Sequence, residues 1–137
     1  MINSLVEILD TGNYSCVIAN GDDIRKFSLR GVADLYNLTK DEPNFLDGAI
    51  IADKVVGKGA AALMVNGSIH ELYTHIISDG AYSLLTTNNI KVGYGNIVPH
   101  IINRTNTGWC PIEKLCKGID NITEILEIID KFIKEQK

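Results

Sequence analysis

Aromatic residues are scarce in this chain. One Trp, three Phe and five Tyr amount to 7% of 137 residues, so a core has to be built mainly from aliphatic side chains. Cysteine is nearly as rare. Cys16, Cys110 and Cys116 form neither an even disulfide framework nor a paired metal knuckle, and free thiols in a cytoplasmic setting are expected. Were Cys110 to open a helix, Cys116 would lie about 9 Å further along it, beyond disulfide reach. No block of five Lys or Arg occurs and the net charge is −4, which speaks against a nucleic-acid partner held through phosphates. No apolar run nears the ~18 residues that cross a bilayer, and Met1-Ile2-Asn3-Ser4 lacks the basic start of a signal peptide. No membrane partner is expected.

What is present is ordinary globular composition, 45% apolar and 22% charged, in a length that suits one domain over residues 1–137. Ser4-Leu5-Val6-Glu7 reads as a capping box for a short helix that Gly12 stops. Asn20-Gly21-Asp22-Asp23 between the apolar runs Tyr14 to Ala19 and Ile24 to Phe27 predicts a β-hairpin. A second helix is expected from Gly31 to Leu38, and Asp41 to Asn44 reads as a loop. Gly48 to Ala52 is a continuous apolar run of the kind buried in a parallel sheet, followed by an Ala-rich helix from Gly59 to Val65. A strand from Ile69 to Ile77, a helix capped by Asp79 and a strand from Ile90 to Val92 continue the alternation. Val98 to Ile102 suggests one more strand, Cys110 and Pro111 a helix start with Glu113 reaching back, and residues 121–136 an amphipathic terminal helix. The pattern is α/β with a parallel centre, in which the strand ending near Ala52 stands between the hairpin and the strand from Ile69.

Two stretches could carry chemistry. Asp53-Lys54-Val55-Val56-Gly57-Lys58-Gly59 leads from strand to helix through two glycines, and helix N–H groups with Lys58 there would hold an anion. It lacks the Ser or Thr and the upstream glycine of a Walker loop. Gly57-x-Gly59-x-x-Ala62 with Asp79 fits a relaxed dinucleotide fingerprint. The structural alternative is that the glycines allow a tight turn and close packing while Lys58 reaches water. In the second stretch, Asn103 to Glu113, the Cys110 thiol sits at a predicted helix start that favours the reactive thiolate. Burial as a small core residue is the alternative there. His70, His75 and His100 have no zinc spacing.

Ala52 to Ala61, Ile101 to Thr105 and Thr107 to Lys114 together resemble the small bacterial domain-of-unknown-function family eighteen ninety-three, whose members are similar to the cytidine deaminase fold. The resemblance runs through about Ile119. It implies a three-layer mixed sheet with helices on both faces. Active deaminases put His-x-Glu or Cys-x-Glu at one helix start and Pro-Cys-x-x-Cys at the next. Here those starts would be Gly57-Lys58-Gly59 and Ser78-Asp79-Gly80-Ala81, so neither zinc nor any other cofactor is expected. The reading is a deaminase-like domain that binds a small anionic or nucleotide-like ligand. Lys54, Gly57, Lys58, Gly59 and Arg104 would hold the ligand, Asp53 and Glu113 would orient it or move protons, and Cys110 would be the reactive atom. A thiol-dependent enzyme and a structural, homodimerising domain stand as alternatives.

Overall fold

The computed structural model describes residues 1–29, 32–103 and 106–135. In chain order the elements are α1 (Ile2–Thr11), β1 (Cys16–Asn20), β2 (Asp23–Phe27), α2 (Ala33–Asp41), a 3-10 turn (Pro43–Leu46), β3 (Ile50–Val56), α3 (Lys58–Gly67), β4 (Glu71–Ser78), α4 (Asp79–Thr87), β5 (Lys91–Val98), α5 (Pro111–Leu115) and α6 (Ile122–Glu135). The five strands form one mixed sheet in the order β2-β1-β3-β4-β5. β1 runs antiparallel to both neighbours, while β3, β4 and β5 are parallel. This is the three-layer architecture that the family resemblance implies, and β3 is central as expected.

Each strand follows from its pattern. The hairpin turns on Gly21, which takes a φ of +61° that a side chain would resist. β3 buries Ile51, Ala52 and Asp53 in succession because helices lie on both sides of the sheet, whereas Val55 and Ile76 further along β3 and β4 stay exposed. α1 packs on one face against β1, β3 and β4, with Leu5 and Leu9 buried against Val17, Ala19 and Ala52. The other face carries the larger core, in which Ile18, Ile51, Leu72 and Ile77 meet α2, α3, α4 and α6. α3 lies at the centre of that layer, and Lys58 through Met64 are all buried. Its small residues let neighbours approach: a Cβ on Gly59 would come within 2.6 Å of Ile112 Cγ2, and one on Gly67 within 2.6 Å of Leu46 Cβ.

The pairing of the parallel strands skips Lys54, His75 and Gly95, which share one line across the sheet. Before the line β4 buries Leu72 and Thr74, and after it Ile77 and Ser78, so the inward face shifts by one residue. A Cβ on Gly95 would press to 2.9 Å from the His75 carbonyl oxygen, and this close backbone approach explains a glycine inside a strand.

Several local expectations are corrected. Ser4 is not a cap, because α1 begins at Ile2 after Met1. α2 runs to Asp41, three residues past Leu38, and Pro43 to Leu46 form a 3-10 turn in place of loop. Asp53 and Lys54 belong to β3, which continues to Val56. α4 is capped by Ser78, whose Oγ accepts the Ala81 N–H, so Asp79 is the first helical residue. Ile90 to Val92 and Val98 to Ile102 are not two strands: β5 spans Lys91–Val98, and Ile102 makes only an isolated bridge to Trp109. β5 ends beside Pro99, and residues 93–97 join the ladder to β4 despite the weak strand preference of Gly93 and Gly95. Among the described residues no helix is long and apolar enough to cross a membrane.

The contact of Gly59 with Ile112 yields a test. Gly59→Ala should lower stability by about 1–2 kcal/mol, since overpacking exceeds the gain in helix preference. A thermal melt at or above that of the parent would contradict the close docking of α5 on α3.

Candidate functional site

Where β3 hands over to α3, Gly57 caps the helix in extended backbone and offers no side chain. The first N–H groups of α3 therefore need an acceptor from elsewhere. Glu113 supplies it. Its Oε1 accepts the Lys58 N–H at 2.6 Å and the Ser78 hydroxyl at 3.2 Å, and its Oε2 accepts the Ile101 N–H at 2.8 Å. One carboxylate, 7% exposed, thus joins the starts of α3 and α4 to the segment after β5. The expectation that Glu113 reaches back to its own helix start is corrected: three donors far off in sequence outcompete a local cap on a helix of five residues.

The sequence builds this arrangement through its small residues. Pro111 opens α5, Ile112 seats against Gly59, and Glu113 then falls over Gly57, where a Cβ would lie 3.0 Å from Oε1. The Gly-Lys-Gly spacing makes room for α5. Lys58 is held at both ends, since its ammonium lies 2.8 Å from Asp120 Oδ1 and donates to the Cys116 carbonyl at 3.2 Å. It does not reach open water, being 7% exposed, and Gly80 leaves room for its stem, with a Cβ there 3.3 Å from Lys58 Cδ.

The remaining candidates are not all brought together. Asp53 is buried opposite Cys16 on β1, and burial pushes its carboxyl up to about 7 although the Val55 and Lys54 N–H groups and the Cys16 thiol favour the charged form. Burial and then Asp53 hold the Cys16 thiol well above its ordinary value. Lys54, next in the strand, points to the other face, and its N–H donates to Ser15. Cys110 is the N-cap of α5, but its thiol makes no cap hydrogen bond and is packed half-buried against the core. Cys116 is fully buried and burial pushes its thiol up to about 11. Arg104 lies outside the described residues.

Ser78, the Ile101 N–H, Asp120 and the Cys116 carbonyl complete the cluster and were not singled out by sequence. Ser78 carried a usable signal as a cap residue just before an acidic first turn. Nearby, His100 stacks on Trp109 at 3.9 Å, and the Lys117 ammonium lies 5.3 Å from the Trp109 ring. Two clefts of about 270 and 550 Å³ lie around the Pro43–Leu46 turn instead, and neither is lined by Lys58, Cys110 or Glu113.

The donor set does not fit zinc. An ammonium, a hydroxyl and a carboxylate that already accepts three hydrogen bonds stand where three imidazole or thiolate ligands would be needed. Among the described residues no group of three or more His, Cys, Asp or Glu is placed to hold a metal ion.

Comparison with known proteins agrees with this fold. A family model described as a domain of unknown function, DUF1893, matches residues 4–133. The crystal structure of a DUF1893 family protein from Thermotoga maritima superposes with a TM-score of 0.87 at 25% identity, covering 95% of this chain and 88% of that one. Acinetobacter baumannii RibD aligns with a TM-score of 0.46 at 16% identity, over 69% of this chain and 34% of that one. No curated protein matches the chain.

Asp53 makes stability depend on pH. Its folded pKa of about 7 lies above the unfolded value, so the folded state binds the extra proton between the two. The contribution of this group to stability should be fully present below about pH 4 and be lost as pH rises through 7, by on the order of 4 kcal/mol. Asp53→Asn should flatten that slope in denaturant titrations across the window. An unchanged slope would show that Asp53 is not the titrating group.

Proposed function

The chain belongs to the DUF1893 family, and from that premise we propose that it is a cytoplasmic deaminase-like domain that binds without deaminating. Its receptor is the paired start of α3 and α4, and Glu113 is the anion resident in it. The observation that carries this reading is the convergence of the Lys58 N–H, the Ser78 hydroxyl and the Ile101 N–H on one buried carboxylate. Helix starts with free donors accept anions generally, and here the chain provides its own. A small anionic or nucleotide-like ligand enters only by taking the place of Glu113 on the Lys58 N–H, the Ser78 hydroxyl and the Ile101 N–H. Nucleic acid and membrane have no part in this reading.

The test is to remove the resident anion. Glu113→Ala leaves buried donors unpaired and should cost about 3 kcal/mol. Formate, acetate or phosphate should restore part of that stability in the variant, and the parent should bind the same anions at least tenfold more weakly. A variant whose melting temperature ignores all three anions would refute the receptor.

A second reading, a thiol-dependent enzyme, is favoured by one observation: Cys110 is only partly buried while Cys16 and Cys116 are buried. Exposure alone gives labelling, so the useful reference is a free cysteine peptide. An activated Cys110 should react with iodoacetamide near neutral pH several-fold faster than the peptide. A rate at or below the peptide's makes Cys110 a packing residue.

A further inference from the structure

We propose that β5 is a self-association edge, through which two copies of this chain pair antiparallel and join their sheets. The two edges of the sheet are finished differently. β2 has five residues and carries Asp23, Arg25 and Lys26, with Arg25 tied to Asp23 at 2.9 Å and to Glu42 at 2.6 Å. Short, charged edges of this kind resist pairing with another chain. β5 has eight residues, none of them buried, and from Val92 to Val98 it contains no charge and no proline. Its one charged residue, Lys91, stands at the start and faces Glu71 at 3.8 Å. A long uncharged edge with a free row of backbone donors and acceptors is a template for a further strand.

The residue pattern selects a second copy as that strand. Val92 packs on the helical core, Tyr94 meets Tyr82 of α4 edge-on at 5.5 Å, and Ile97 pairs with buried Ile77. All three therefore lie on the helical face, and the shift of face at Gly95 permits this despite their odd spacing. A two-fold axis between Tyr94 and Gly95 sets Val92 beside the partner's Ile97 and Tyr94 over the partner's Gly95, an aromatic covering a glycine. It also puts the two Lys91 ammonium groups at opposite ends of the joined edge, so no like charges meet.

The area is sufficient for a weak dimer. Eight residues extend for about 27 Å, and an edge of that length about 10 Å thick buries well under ~1,000 Å² over both partners, in the range of weak, transient interfaces. Association in the micromolar range is expected.

Sedimentation velocity from micromolar to millimolar protein, with hydrogen exchange at matched concentrations, decides the matter. The chain should shift from monomer to dimer, with β5 amides gaining protection as concentration rises. Ile97→Lys, at a position already partly exposed, should weaken the dimer at least tenfold, whereas Lys26→Ala on β2 should leave it unchanged. Should Ile97→Lys fail to fold, the exchange data on the parent chain are decisive by themselves. A monomer throughout the range, β5 protection that ignores concentration, or a dimer that a folded Ile97→Lys leaves intact would each overturn the proposal. So would a monomer whose β5 takes up a strand from a different protein.

Discussion

Two helices that begin side by side at the ends of parallel strands direct their positive poles into one small volume, and the fold has to place negative charge there. Glu113 meets that need from a distance of 55 residues in sequence. Much of the molecule's layout follows from this. The segment after β5 crosses the strand ends because the Ile101 N–H is bound to the same carboxylate, and α5 sits on α3 because Ile112 must enter the space above Gly59. A helix of only five residues has little stability of its own, so its position is set by these contacts.

Lys58 gives the arrangement its polarity. Its backbone end is bound by an acid and its side-chain end by the carbonyl of Cys116, which is the C-cap of α5, and by Asp120. The ammonium is thus placed at the negative pole of the short helix whose own acid caps α3. Asp120 is 83% exposed, and an ion pair that open to solvent contributes little. The carbonyl and the close packing around the stem keep the lysine in place, since a buried cation without acceptors would be costly.

The fold was readable where short-range rules and long-range packing agree. Asn20-Gly21 marked the hairpin, the Gly48 to Ala52 run marked the central strand, and the apolar stripe from Ile122 marked α6, in which Ile125 and Ile129 are fully buried. Errors arose where tertiary contacts override local preference. β5 continues through Gly93 and Gly95 because β4 supplies its ladder. Ser4 lost its capping role because α1 begins two residues earlier. For the site, residue types were readable and partners were not. Gly57, Lys58, Gly59 and Glu113 were all singled out, but periodicity cannot tell a glycine that makes room for a phosphate from one that makes room for another helix. Asp53 and Lys54, adjacent in the chain, are parted by strand alternation.

One face of the sheet depends on α1, and this divides the molecule's stability unevenly. Most of the buried side chains lie on the opposite side, interlocked among α2, α3, α4 and α6. α1 has ten residues and contributes two fully buried leucines, with its end tied down by Asp10 at 2.6 Å from His75. A helix with so few anchors can open locally while the rest stays folded. Detachment would bare Val17, Ala19 and Ala52 on β1 and β3, and apolar strand surface uncovered in this way is open to proteolysis and aggregation.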